Sequence, residues 1–398
     1  MSLRLSDRLA RLPSYPLAEV PAIKRRLLEA GVDVIDLGAG DNDAPPPQPV
    51  REAMIEAIRD PAMSKYGFQQ GHAEYRRAAA RYVERRFGHG FDPSAELLPL
   101  IGSKEGLAHL PFALVNPGDV VILPEPGYQA YVGGAILTGA EPFVVGLAAD
   151  NGFLLDLDAL PTAVLDRTRL VYLNYPNNPT AAIAPLEYLA RTVAICRSRG
   201  IVLAYDNAYC DLTFDGYRAP SIFDLPGARD IAVEFFSLSK SFSMTGWRIG
   251  FAVGNRELIG ALTKIKSYTD TGPFLAVQRA GVVALDRAEE FVEPIRTELA
   301  ARRDAGVDAL RAHGFAVDRP QAAMYLWVRL PPGTDSSAWS RAALEEQGVV
   351  TLPGRAFGPA GEGYFRIALT VGPARLVEAI ARLELVAGRG VGSSAATA

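Results

Sequence analysis

Cysteine is nearly absent. The two present, Cys196 and Cys210, are too few for a disulfide framework, so a reducing cytoplasm is the expected setting. No apolar stretch approaches the roughly 18–20 residues that cross a bilayer. The first residues, MSLRLSDRLARLPSYP, lack the apolar centre of a signal peptide. A net charge of −4, without a basic run, gives no reason to expect nucleic acid or an anionic membrane as partner. No zinc-finger spacing appears, no metal is expected, and no internal repeat is found. These absences point to a soluble intracellular protein.

What is present suits a large core. Of 398 residues, 49% are apolar, enough for two domains or one large domain with an appendage. Short apolar runs recur at Val120–Leu123, Leu170–Leu173, Ile201–Tyr205, Ile231–Phe236 and Ile249–Val253. They are too continuously apolar to be half-exposed, and read as strands buried on both faces of a mainly parallel sheet. Helical patterns fall between them, such as Leu186–Arg199 ending at Gly200, a plausible C-cap. A helical pattern also covers Val50 to Phe87. Strand–helix alternation argues an α/β fold.

Near Asp286 the character changes to a long charged helical stretch reaching about His313, the alternating segment MYLWVRL, and a last helix with Leu376, Ile380 and Leu383 on one face. The expected division is an N-terminal arm at 1–45, forming part of a small domain; a large domain at 46–285; a small α+β domain at 286–386; and a disordered tail at 387–398.

Chemistry-bearing residues collect in the loops that follow the apolar runs. Asp206 ends one run; it is either a helix cap or a group in the ligand crevice that open α/β sheets form there. NYPNNPT (Asn174–Thr180) ends another, and Asn-Pro alone is an ordinary turn. IGSKEG (Ile101–Gly106) opens a helical stretch, whose first N–H groups suit an anion. SLSKSFSMTGWRIG (Ser237–Gly250) brings one lysine, several hydroxyls and an arginine, which suits a phosphate beside a reactive amine. Pyridoxal phosphate uses this inventory as a set: a lysine for the Schiff base, an acid for the pyridine nitrogen, and phosphate donors.

These motifs, from DLGAGD near Gly40 to YFRIAL at Arg366, resemble the class I/II aminotransferases of the aspartate-aminotransferase fold (pyridoxal-phosphate fold type I). The resemblance covers nearly the whole chain. It implies a large domain with a mixed, mainly parallel sheet of about seven strands, plus the smaller α+β domain. It implies that Lys240 is the Schiff-base lysine and Asp206 the partner of the pyridine nitrogen. Tyr209 and Asn178 would hold the phenolic oxygen, with Asn177 the competitor of Asn178, and Tyr128 would stack on the ring. Ser103, Lys104, Ser237, Ser239 and Arg248 would surround the phosphate, joined by Tyr66 from the second subunit of a homodimer. Gly40 and Arg366 would grip the substrate carboxylate. Ser241, Ser243 and Thr245 are given loop packing and capping only. Ala181 stands where the family commonly has Gly.

GSKEGLAHLPFALVNPGDVV, LNYPNNPT and YDNAYCDLTFDGYRAPS look most like the LL-diaminopimelate aminotransferase-like branch, in which an N-terminal tyrosine, here Tyr15, covers the substrate. The expected substrates are an amino acid and a 2-oxo acid, 2-oxoglutarate as acceptor. Gln69 and Gln70 are neutral where plant-type enzymes of the branch carry an acid, so a broader donor range is the alternative. A carbon–sulfur β-lyase shares fold and cofactor. A transcriptional regulator would need a DNA-binding domain ahead of DLGAGD, where the segment is too short for one.

Overall fold

The computed structural model describes residues 3, 5–13, 19–41 and 43–387. Tyr15 and residues 388–398 of the expected tail lie outside the described residues; Ala387 is the last residue of a helix, Pro373–Ala387.

In chain order the strands are β1 (Ile35–Asp36), β2 (Leu97–Leu100), β3 (Val120–Glu125), β4 (Glu141–Gly146), β5 (Thr168–Asn174), β6 (Val202–Asp206), β7 (Ala232–Ser237), β8 (Gly250–Gly254), β9 (Ala316–Val317), β10 (Tyr325–Arg329), β11 (Val349–Val350), β12 (Leu352–Pro353) and β13 (Tyr364–Ala368). Seven of them form one sheet in the order β2-β8-β7-β6-β5-β3-β4. Only β8 runs opposite to the other six. The five apolar runs read from the sequence are the five inner strands of this sheet.

Their continuous apolarity has a direct cause. Successive side chains point to opposite faces, and both faces are covered. Val120, Ile122, Leu203 and Tyr205 enter one buried cluster. Val121, Leu123, Ala204 and Val233 enter another on the opposite face. Cutting such a leucine back to alanine typically costs about 2–5 kcal/mol.

Four antiparallel strands, β12-β13-β10-β9, form a second sheet. The helices Ala288–Ala312 and Pro373–Ala387 pack on it, with Leu310, Leu376, Ile380 and Leu383 fully buried beside Leu326 and Ile367. β1 pairs in parallel with β11, Ile35 opposite Val349, which ties the N-terminal segment to this sheet.

Three features differ from the sequence reading. The Val50–Phe87 pattern is two helices, Gln48–Arg59 and Ala73–Phe87. Pro61 opens a short 3₁₀ turn between them, and the following loop carries Tyr66. The edge strands β2 and β4 escaped notice because each contains a proline, Pro99 and Pro142, which argues against a strand interior. MYLWVRL does not alternate in exposure: Tyr325 to Val328 are all buried, because both faces are covered, Leu326 and Val328 joining the core while Tyr325 packs on Tyr209 and Trp327 on Tyr364. Leu186–Arg199 is helical and caps at Gly200 as expected. Among the described residues no helix is long and apolar enough to cross a membrane.

Candidate active site

The carboxyl ends of β5, β6 and β7 lie side by side, and register sets Asn174 directly beside Asp206. Open parallel sheets bind ligands at this edge. A cleft of about 490 Å³ opens there. Twelve of the expected site residues line it: Gly40, Ser103, Lys104, Tyr128, Asn178, Asp206, Tyr209, Ser237, Ser239, Lys240, Arg248 and Arg366. Lys104, Lys240, Arg248 and Arg366 face Asp36, Asp41 and Asp206 across it, so cations exceed acids, which favours anionic ligands.

Asp206 is buried. Its Oδ2 accepts a 2.7 Å hydrogen bond from the Tyr131 hydroxyl. Its Oδ1 is buried with no partner among the described residues. Burial pushes the Asp206 carboxyl up to about 6, against the pull of Tyr131 and the Ala208 N–H. Tyr131 is itself fixed by stacking on Tyr172, with ring centroids 4.6 Å apart.

Lys240 lies on a single helical turn, Leu238–Ser241, that follows β7 directly. Its Nζ donates to the carbonyl of Gly40 at 2.6 Å. Ser237 caps this turn by accepting the Ser239 N–H. Thr245 donates to the Ser239 carbonyl and also lines the cleft.

The helix Ser103–Leu114 starts at the cleft with Gly102 at φ +69, a conformation that side chains other than Gly rarely adopt. A Cβ there would lie 2.5 Å from Arg248 Nη2, so the missing side chain is what lets the guanidinium approach the helix start. Arg248 itself sits at φ +55, and its Nη1 donates to the Thr245 carbonyl at 3.0 Å. The Lys104 ammonium lies 5.6 Å from the Tyr128 ring centroid.

Arg366, on β13, is 4% exposed. Nη1 donates to Asn178 Oδ1 at 2.8 Å and Nη2 to the Gly38 carbonyl at 2.6 Å. Its plane lies against Tyr325 and Phe357, 4.2 and 5.0 Å from their centroids. The Tyr325 hydroxyl meets that of Tyr209 at 2.8 Å. A Cβ on Gly40 would come within 2.6 Å of that hydroxyl.

The structure separates the two candidate asparagines. Asn177 spends its amide inside the turn, on the Asn174 carbonyl and on Thr180; Asn178 faces the cleft. Tyr66 is not brought into the cleft of its own chain: it is 78% exposed, stacked loosely on exposed Phe68. Gln69 and Gln70 do not line the cleft either. Cys210 is buried and burial pushes its thiol up, which makes it a packed, unreactive group. Tyr131, Asn174, Gly38, Tyr325 and Phe357 were missed by the sequence reading. Tyr131 had one usable signal, its place one helical turn after Tyr128; Tyr325 and Phe357 come from distant segments and had none.

Residues 32–383 match the family model described as aminotransferase class I and II. Over 379 residues the chain is 46% identical to an LL-diaminopimelate aminotransferase of Aquifex aeolicus (strain VF5), covering 95% of this chain and 98% of that one. Among solved structures it is similar to substrate-bound BacF from Bacillus subtilis, with a TM-score of 0.92, 32% identity, and coverage of 97% and 98% of the two chains. It is also similar to a probable N-succinyldiaminopimelate aminotransferase from Thermus thermophilus, with a TM-score of 0.88, 39% identity, and coverage of 93% and 100%.

Proposed function

The chain belongs to the class I and II aminotransferases, which are pyridoxal-phosphate enzymes, and from that premise we propose that it moves an amino group between LL-diaminopimelate and a 2-oxo acid, with 2-oxoglutarate as the acceptor. The substrate reading leans on the 46% identity to the Aquifex aeolicus enzyme along nearly the whole of both chains. The observation that carries the chemistry is Asp206: a buried carboxylate with one oxygen lacking a partner among the described residues, in the same cleft as Lys240 and Arg366.

The residues present fit the cofactor. The unmatched Asp206 Oδ1 is an acceptor for a protonated pyridine nitrogen, and a buried negative charge favours that proton. Tyr128 would cover the ring, and Tyr209 and Asn178 would hold its phenolic oxygen. The start of the helix at Ser103 and Lys104, with Ser237, Ser239 and Arg248, would take the phosphate. Lys240 would tether the cofactor through its amine. When bound, pyridoxal phosphate supplies a sink for the electron pair left when a Cα–H bond breaks.

The chain's own residues do the rest. Arg366 exchanges two neutral acceptors, Asn178 Oδ1 and the Gly38 carbonyl, for one or both oxygens of the substrate carboxylate. Its fork and its stacking on Tyr325 fix the direction from which the substrate enters. Lys240, as a neutral amine beside the substrate Cα, would take the Cα proton as general base and later return it. Val20, Pro21, Leu352 and Phe357 give the cleft an apolar part of its lining.

Tyr66 supports a homodimer, in which it would reach the phosphate of the neighbouring copy: an exposed tyrosine beside an exposed phenylalanine suits burial against a second chain. The cytoplasm is the proposed setting, residues 46–285 the cofactor-binding domain, and 286–386 with the N-terminal arm the smaller one. Neutral Gln69 and Gln70 favour a second reading, a broad donor range including alanine, aspartate, glutamate and methionine. A half-reaction screen decides. Each amino acid is added alone and the visible absorbance of the bound cofactor is followed. LL-diaminopimelate should discharge it fastest; if it does not while the common amino acids do, the broad reading replaces this one. Pyruvate released from cystathionine would point to a β-lyase.

A further inference from the structure

Behind the start of the helix Ser103–Leu114 lies a buried charge cluster that the chemistry above does not use. Lys266, on the helix Arg256–Thr269, is 0% exposed. Its Nζ is 2.6 Å from Glu105 Oε2 and 2.9 Å from Asp270 Oδ1. Glu105 also meets the His109 ring at 2.8 Å and accepts the Ile101 N–H at 3.2 Å. Glu105, His109 and Asp270 cluster closely enough to suggest a metal site, but a cation already bridges the two acids, the Lys266 ammonium. Burial alone would raise the Glu105 carboxyl; His109 and Lys266 more than offset it and hold it below the usual carboxylate range.

A buried ion cluster is a poor way to gain stability, since apolar residues of the same volume commonly do as well. Its position suggests another use. Glu105 follows Lys104 and reaches back to the residue before Gly102, so it fastens the turn that carries Gly102, Ser103 and Lys104. A bare carboxylate within one helical turn of that loop would repel an anion held there.

We propose that Lys266 is a positioning residue for the cofactor phosphate: with His109 it offsets the charge of Glu105, so that Glu105 can fasten the Ile101–Lys104 turn with less repulsion of the phosphate. This rests on the reading of the cleft as a pyridoxal-phosphate site.

The test compares two probes on the cofactor-stripped full chain, pyridoxal phosphate and pyridoxal, which lacks the phosphate. Lys266→Met should weaken pyridoxal phosphate by about tenfold or more, because two desolvated acids then lose the cation between them and Glu105 keeps only His109. Pyridoxal should change less than about twofold, since no phosphate charge is involved. Adding Glu105→Gln to Lys266→Met removes the charge that touches the turn, leaving that of Asp270, while keeping an acceptor for the Ile101 N–H, and should restore most of the lost affinity. If Lys266→Met does not fold, Asp270→Asn serves instead: it leaves the cluster one charge more positive and should hold or tighten pyridoxal phosphate with pyridoxal unchanged. Equal losses for the two probes, no loss with Lys266→Met, absence of rescue, or weakened pyridoxal phosphate with Asp270→Asn would each overturn the proposal. Wild-type chain that prefers pyridoxal phosphate while the variants behave alike sinks the role of Lys266 alone. Wild-type chain that binds neither probe sinks the cofactor reading and this proposal with it.

Discussion

The Tyr131 hydroxyl holds Asp206 by one oxygen at 2.7 Å, and the other oxygen, buried, has no partner among the described residues. Tyr131 thus orients the acid and supplies one of the hydrogen bonds that oppose its desolvation. Hydrogen bonds to charged groups contribute about 1.5–3 kcal/mol. Tyr131→Phe should therefore push the Asp206 carboxyl further above about 6 and lower turnover by about tenfold or more. Asp206→Asn keeps the shape and removes the charge; the expected barrier increase is about 3–4 kcal/mol or more. Steady-state rates on cofactor-saturated enzyme check both, and near-normal turnover of Asp206→Asn would remove its assigned role.

Borohydride treatment of the loaded enzyme followed by peptide mapping should place the cofactor's mass on the peptide containing Lys240. The exposed Lys65 and the cleft lysine Lys104 are the competing amines, and a label on either refutes the assignment. Lys240→Ala should also abolish exchange of the substrate Cα hydrogen with deuterium oxide, while substrate still binds.

Glu234 is fully buried among Asn207 and Ser221, and burial pushes its carboxyl up to about 8. The folded chain keeps a proton that the unfolded chain releases above its ordinary 4.5. Stability from this group is therefore complete below that value and is lost as pH climbs toward 8, by about 1.4 kcal/mol per pH unit at most. Glu234→Gln cannot titrate. Denaturation midpoints of the two proteins should be close at pH 5 and diverge in favour of Gln by pH 8–9; a constant gap would refute the shift.

Arg366→Ala should lose carboxylate recognition, about 3 kcal/mol or more in kcat/KM, because its partners were arranged around a buried fork. Arg366→Lys should recover little, since an ammonium cannot reproduce the planar double donor. Amines without a carboxylate should be affected far less by either change, and equal losses would argue for a purely structural arginine.

Subunit mixing tests Tyr66. Hybrids of Lys240→Ala with Tyr66→Phe should regain activity at one site that has both residues intact. Hybrids of Lys240→Ala with Arg248→Ala should not. Equal behaviour of the two mixtures removes the cross-subunit role.

The inner sheet was legible because burial on both faces leaves an unmistakable trace, runs such as VVIL and LVYL with no polar interruption. The edge strands leave none: β4 has no buried residue and each edge run is broken by a proline. The site was legible where a motif follows a strand, as at Asp206 and Lys240. The choice between Asn177 and Asn178 was not, because adjacent amides in one turn differ only in where the backbone aims them. Tyr325 was hidden for another reason: it meets Tyr209 across more than a hundred residues of chain, and no local pattern encodes that.

The bond from Arg366 to the Gly38 carbonyl spans 328 positions, and this has a consequence for synthesis. Chains grow from the N-terminus and their domains tend to fold as they emerge. A ribosome that has just finished the turn around Lys240 and Arg248 has delivered the acid, the amine and the anion loop, but Gly38 still waits for a partner more than a hundred residues away. Chains stalled in that interval would carry Asp206, Lys240 and Arg248 but still lack Arg366.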